Sequence, residues 1–169
     1  MGSNYSLPSS FTIEFKQTGL FTYKIRTSQV LPLSPDDVFP FFEDPRNLSV
    51  ITPQWLNFRM IDSEHAEVFK GAEFDYTIRW CGVKLRWRTR IVDYEKPERF
   101  TDVQLSGPYS SWQHIHTFEK TSEGTRMHDD VTYGIPLIAM PLHRIIIRRQ
   151  LEDIFCFRAV RIAKWLNIQ

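Results

Sequence analysis

Only two of the 169 residues are cysteines, Cys81 and Cys156, and no Cys-x-x-Cys pair is present. That scarcity excludes a disulfide framework and a thiolate zinc site, and it fits a reducing compartment, so a cytoplasmic location is expected. A surplus of one charge sign is also missing. The 21 basic and 20 acidic residues leave a net charge of +1 and are mixed along the chain. No basic face large enough to neutralise a phosphate backbone follows, and nucleic acid is not an expected partner. Long apolar runs are lacking as well: no stretch approaches the ~20 residues that span a bilayer. Met1 to Ser10 is polar and has neither the basic nor the apolar region of a leader, so a transmembrane segment is not expected. Glycine-rich phosphate loops and a Gly-x-Ser-x-Gly nucleophile elbow do not occur. Repeats, linkers and low-complexity tracts are missing too. With 42% hydrophobic and 14% aromatic residues, the chain reads as one domain over residues 21–169 behind a loosely ordered segment, residues 1–20.

What is present is organised around the C-terminus. Between Pro141 and the chain end neither Gly nor Pro interrupts residues 142–169. Taken at 100° per residue from Leu151, the positions Ile147, Leu151, Ile154, Phe155, Ile162, Trp165 and Leu166 fall in one apolar stripe with Arg158 in its middle. The spacing predicts one helix from Leu142 to Gln169, roughly 40 Å long. Upstream, Phe21 to Thr27 alternates as a half-buried strand that extends towards Leu31. Ser34-Pro35-Asp36-Asp37 supplies a cap, a first-turn proline and an acid for a helix through Phe42, ended or bent at Pro40. Asp44-Pro45 repeats the signal for a second short helix to about Val50.

From Phe58 the period becomes two. Short strand Phe58 to Ile61 is followed by Glu73 to Trp80, a tight turn at Cys81-Gly82, and a strand from Val83 to Ile91. On that strand Val83, Leu85, Trp87, Thr89 and Ile91 share one face, and Lys84, Arg86, Arg88 and Arg90 share the other. The four cations stand across a hairpin from Glu73 and Asp75, which predicts solvated cross-strand ion pairs. Arg99 to Leu105, Ser111 to Glu119 and Thr125 to Tyr133 complete the run, joined by Gly107-Pro108 and Glu123-Gly124. The class is α+β: a curved antiparallel sheet, two short helices after its first strand, and a long C-terminal helix closing one face. Curvature around a helix leaves a hollow, a natural small-molecule site.

Continuing the alternation assigns polar residues to that hollow. If Phe100 points inward, so do Asp102 and Gln104; Trp112 and Phe118 bring His114 and His116; Met127, Val131 and Tyr133 bring Asp129; Arg158 enters from the helix. Such groups must pair, meet water or meet a ligand, because an unpaired buried charge costs several kcal/mol. The candidate ligand-binding set is therefore Trp80, Trp87, Asp102, Gln104, Trp112, His114, His116, Asp129, Phe155 and Arg158. His114 and His116 suit proton transfer or ligand orientation, and equally a hydrogen-bonded structural ladder. Two histidines at i and i+2 beside Asp102 or Asp129 can also hold a divalent ion, although neither a metal nor a cofactor is assigned. Arg158 can grip a carboxylate or phosphate, or pair internally with Asp129 or Asp102. Trp80, Trp87, Trp112 and Trp165 read as pocket wall or as plain core. His65, His128 and His143 have no assignable role.

The element order, together with Pro45-Arg46-Asn47-Leu48, Phe100-Thr101-Asp102-Val103-Gln104, Gly107-Pro108-Tyr109, Trp112-Gln113-His114-Ile115-His116-Thr117-Phe118, Gly124-Thr125 and Asp129-Asp130-Val131-Thr132-Tyr133, resembles the SRPBCC (START-like) superfamily. Within it the likeness is to the small polyketide cyclase/dehydrase-like or lipid-transport-like proteins, over about Phe21 to Leu166. The resemblance implies the helix-grip fold of the birch-pollen allergen, a seven-stranded antiparallel sheet around a long C-terminal helix, with a cavity for hydrophobic ligands. It transfers no catalytic residue set, and fold alone does not specify function. The expected function is binding or transport of a hydrophobic or amphipathic small molecule such as a lipid, isoprenoid or polyketide. The alternatives are a cyclase/dehydratase in which His116 acts as base, Asp129 orients it and Arg158 steadies an enolate, or an interaction module with a filled interior.

Overall fold

Alternating sequence builds one antiparallel sheet of eight strands in the computed structural model, which describes residues 5–61, 67–80 and 82–166. The strands are β1 (Thr12–Gln17), β2 (Thr22–Leu31), β3 (Arg59–Met60), β4 (Glu73–Trp80), β5 (Val83–Glu95), β6 (Arg99–Ser106), β7 (Ser111–Thr121) and β8 (Gly124–Gly134). Their spatial order is β1-β2-β8-β7-β6-β5-β4-β3, a meander from β3 to β8 with the N-terminal hairpin returned to its far edge. Eight strands replace the expected seven. The extra one is β1, inside the segment read as loosely ordered: its half-buried Ile13 and Phe15 alternate with exposed residues and pair with Thr27 and Ile25 of β2. Register shifts between β5 and β6 at Arg88/Thr89 and Ile91/Asp93 bend the sheet. On its outer surface two of the four cations pair across the hairpin: Arg88 lies 2.8 Å from Glu73 and 3.6 Å from Asp75, and Arg90 also bonds Glu73. Of the expected Cys81-Gly82 turn, Gly82 has φ +83° and Cys81 lies outside the described residues, as does His65.

Helix α1 (Pro35–Glu43) begins where the Ser34 Oγ accepts the Asp37 N–H at 3.3 Å and donates to Asp37 Oδ2 at 2.6 Å. Pro40 does not end it. Proline removes one N–H bond, but Val38, Phe39, Phe41 and Phe42 are all buried and hold the last turn against the sheet. Two 3-10 turns follow, Pro45–Ser49, capped by Asp44, and Gln54–Leu56.

The C-terminal helix departs from expectation at its start. A 3-10 turn (Leu137–Ala139), a single α turn (Met140–Leu142) and a π-helical stretch (His143–Ile147) precede the regular helix α2 (Arg148–Trp165). Residues 167–169 of the expected helix lie outside the described residues. Leu151, Phe155, Ala159 and Ile162 form the buried seam of α2, while Trp165 is 48% exposed and leans on Phe41 with ring centroids 4.3 Å apart. Two hydrophobic clusters result. Val38, Phe39, Phe42, Phe100, Phe118 and Ile162 belong to one; Ile25, Val131, Tyr133, Ile147, Leu151 and Phe155 belong to the other. Cys156 is a free thiol, and no helix of the described residues is long and apolar enough to cross a membrane.

Candidate functional site

A cavity of about 200 Å³ lies between the sheet and α2, with walls drawn from both clusters. The interior is therefore not filled. Eight of the ten candidate residues line it: Trp80, Trp87, Asp102, Trp112, His114, His116, Phe155 and Arg158. The other two do not. Gln104 instead braces a loop, its Nε2 donating to the Tyr109 carbonyl at 2.8 Å and its Oε1 accepting the Tyr109 N–H. Gly107 makes that contact possible, because a Cβ there would sit 2.3 Å from Gln104 Oε1. Tyr109 is thereby presented to the cavity, where it packs at 4.9 Å from Trp112 and 5.6 Å from Trp87, with the two indoles 5.2 Å apart and edge-to-face.

Asp129 stands behind the wall and organises it. Residues two apart on a strand share a face, so His114 and His116 lie side by side on β7, ring centroids 3.7 Å apart. The β7–β8 register sets His116 opposite Asp129, and β6–β7 sets His114 opposite Asp102. Four side chains close into a box. His114 Nε2 is 2.8 Å from Asp129 Oδ1, and His116 Nε2 is 3.2 Å from Asp102 Oδ2. Between the directly opposed residues, His116 Nδ1 is 3.1 Å from Asp129 Oδ1 and His114 Nδ1 is 3.8 Å from Asp102 Oδ2. The 3.1 Å contact is out of line for a hydrogen bond, so His116 Nδ1 is buried without a partner. Thr27 Oγ1 donates to Asp129 Oδ2 at 3.0 Å, fixing the carboxylate from behind. Phe100 stacks on the His116 ring at 4.1 Å.

Burial disfavours charge on both imidazoles. At His114 it prevails, aided by His116, and the pKa falls below the ordinary value. At His116 the same penalty is outweighed by the bond to Asp102 and the nearby carboxylate of Asp129, and the pKa rises. Burial would raise the Asp129 carboxyl, but the two imidazoles hold it well below the usual range.

Arg158 makes no ion pair with Asp102 or Asp129. Its guanidinium sits 5.0 Å over the Phe155 ring, and its Nε is buried without a partner. Trp87 Nε1 is likewise unpartnered. The Trp80 indole, by contrast, donates to Gln150 Oε1, which also lines the cavity. Tyr109, Gln150 and Trp55 are wall residues that alternation did not single out. Gln150 had a readable signal, since it lies four residues before Ile154 on the same helix face. Trp165 is not part of the wall. His143, without an assigned role from sequence, has its Nε2 3.1 Å from the Tyr133 hydroxyl.

The model of the polyketide cyclase/dehydrase and lipid transport family matches residues 31–154. The chain belongs to this family. Other members of the fold superpose over most of their length. The structure of protein Ms6760 from Mycobacterium smegmatis, 17% identical, covers 93% of this chain and 98% of its own at a TM-score of 0.63. The di-domain ARO/CYC StfQ from the steffimycin biosynthetic pathway, 13% identical, matches 87% of this chain with 53% of its own at a TM-score of 0.61. Ara h 8.0201, 11% identical, matches 88% with 99% of its own at 0.55. At these identities the likeness shows the helix-grip fold. Among curated proteins none matches the chain.

Proposed function

We propose that this protein binds a hydrophobic or amphipathic small molecule in the cavity, its apolar body against Trp87, Trp112, Tyr109 and Phe155 and its oxygen-bearing end towards the histidine–aspartate box and Arg158. One observation carries the reading: among the described residues, the buried Trp87 Nε1 and Arg158 Nε have no hydrogen-bond partner, and both belong to residues on the cavity wall. A buried donor left unmade costs about 1–3 kcal/mol, so a wall carrying two favours a guest that supplies acceptors. The volume is adequate, since an apolar cavity of roughly 150 Å³ already holds a benzene-sized molecule. The family's description, which spans cyclases, dehydrases and lipid transport, agrees with a guest of this class.

The probe anilinonaphthalene sulfonate, an aromatic body with an anionic end, tests the assignment. Saturable uptake of one per chain is expected, weakened by about tenfold in Trp112→Ala, or 1.4 kcal/mol for one aromatic contact. Affinity unchanged in both Trp112→Ala and His116→Ala removes the site.

A second reading, proton-transfer catalysis on a bound polyketide-like substrate, is favoured by one feature: His114 and His116 both line the cavity, with His114 Nδ1 and His116 Nε2 towards Asp102, itself a wall residue, and their opposite nitrogens towards Asp129. In that chemistry His114, the ring whose charged form is disfavoured, takes the base role first given to His116, and His116 donates. Turnover of an aromatic polyketide substrate that persists in full in His114→Gln would end it.

A further inference from the structure

We infer that Asp102, His114 and His116 form a binding site for a divalent first-row transition-metal ion on the cavity wall, with Asp129 as the carboxylate that orients both imidazoles. One ligand atom from each of the three residues lies within 4.8 Å of the other two. Asp102 Oδ2 is the common point, 3.2 Å from His116 Nε2 and 3.8 Å from His114 Nδ1. Ligand atoms placed about 2.0–2.1 Å from a tetrahedral ion stand about 3.3 Å from one another. The cluster is thus near the required size, and a bound ion would draw its widest edge in.

The surroundings fit a metal better than a bare hydrogen-bonded ladder. A ligating histidine commonly gives its other ring N–H to a carboxylate, which selects the tautomer and aims the lone pair. Here both rings turn their far nitrogen to the same atom, Asp129 Oδ1, at 2.8 and 3.1 Å. The nitrogens left over are the two that face Asp102. Thr27 in turn anchors Asp129. As a ladder the arrangement leaves His116 Nδ1, 3.1 Å from Asp129 Oδ1, without a hydrogen bond.

Donor type and exposure narrow the ion and its role. Two imidazoles and one carboxylate suit zinc, iron, cobalt or manganese rather than magnesium or calcium, which take oxygen. Three protein ligands, all on the cavity wall, leave coordination positions open to the cavity, the pattern of sites that meet a substrate rather than of closed structural sites. The ion would take an oxygen of the guest in the proposed cavity, yet its binding is independent of which guest is present.

Cobalt(II) is the direct probe. Full-length protein, stripped with a chelator and free of any affinity tag, is titrated at neutral pH and followed by visible absorption. One equivalent with d–d bands is expected, displaced by zinc. Affinity should fall at least tenfold in Asp102→Asn and in His114→Gln, about 10–100-fold in Asp129→Asn, and not at all in His128→Gln, whose ring lies near Glu119. Should the box variants fail to fold, the wild-type side-chain spectrum decides: cobalt must shift or broaden the His114 and His116 imidazole resonances and spare His128. Absent binding, binding untouched by Asp102→Asn and His114→Gln, or paramagnetic shifts confined to other histidines would each overturn the inference. Uptake of anilinonaphthalene sulfonate by the metal-free protein is read separately, so failure of one site does not pass for failure of the other.

Discussion

Asp129 is 4% exposed, so Asp129→Ala is the substitution with the largest calculable effect on the box. Three interactions disappear together: acceptance from Thr27 Oγ1 at 3.0 Å, the His114 Nε2 bond at 2.8 Å, and the 3.1 Å contact with His116 Nδ1. The Thr27 hydroxyl and the His114 N–H are then buried donors without acceptors, and the His116 ring keeps only Asp102. Breaking a buried charged pair from one side costs about 3–5 kcal/mol. Set against a whole-domain stability of roughly 5–15 kcal/mol, that is a large share. The assay is urea unfolding of metal-free protein followed by tryptophan fluorescence; with an m-value near 2 kcal/mol/M the midpoint should drop by about 2 M. Thr27→Val, which removes one neutral bond, should lose only about 1 kcal/mol, and Asp129→Asn, which keeps an acceptor, should fall between. A loss in Asp129→Ala under about 1 kcal/mol would refute the claim that this carboxylate holds the box together.

Two further outcomes follow from elsewhere in the sheet. Asp130, one residue on and on the outer face, is bonded by Arg26 at 3.0 Å and Lys24 at 2.8 Å; burial would raise its pKa, but these cations lower it below 3.8. A carboxylate with a depressed folded pKa contributes stability above its unfolded value and loses it as pH falls through the folded one. Wild type should therefore shed stability below pH 3.8 that Asp130→Asn does not, by no more than about 1 kcal/mol for so exposed a pair; parallel acid-unfolding curves would contradict it. Gly124, at φ +121°, opens the β7–β8 hairpin, and a Cβ there would meet the Leu31 carbonyl oxygen at 2.2 Å. Gly124→Ala should cost more than the roughly 1–3 kcal/mol of backbone strain, whereas Gly71→Ala, at φ +98° with open space around it, should cost strain alone; equal thermal midpoints would count against this.

The histidine–aspartate box was legible because β7 and β8 run without a register shift, so counting by two from Trp112 and Met127 placed His114, His116 and Asp129 on one face. The same count put Asp129 and Gln104 at the cavity, which they do not reach. Whether an inward residue ends at a wall or behind it depends on neighbours from distant segments, here the two imidazoles and the Tyr109 loop. β1 carried its own signal, Ile13 and Phe15 among polar residues, but a strand with one weakly buried face reads much like a polar terminus. The π-helical stretch at His143–Ile147 was not readable, since a count at 100° per residue presupposes an α-helix. Trp165 fell on the apolar stripe yet stays half in solvent, its ring packed on Phe41 near the end of α2.

The central claim, a cavity that holds a hydrophobic guest, is tested most directly by extracting natively purified protein with organic solvent and weighing the extract by mass spectrometry. The comparison is Thr89→Phe, which adds a ring at a buried position on the cavity wall. The account predicts a single hydrophobic compound at close to one per chain from the wild type and its loss from Thr89→Phe. The same compound from both at equal yield, or none from either, would contradict it.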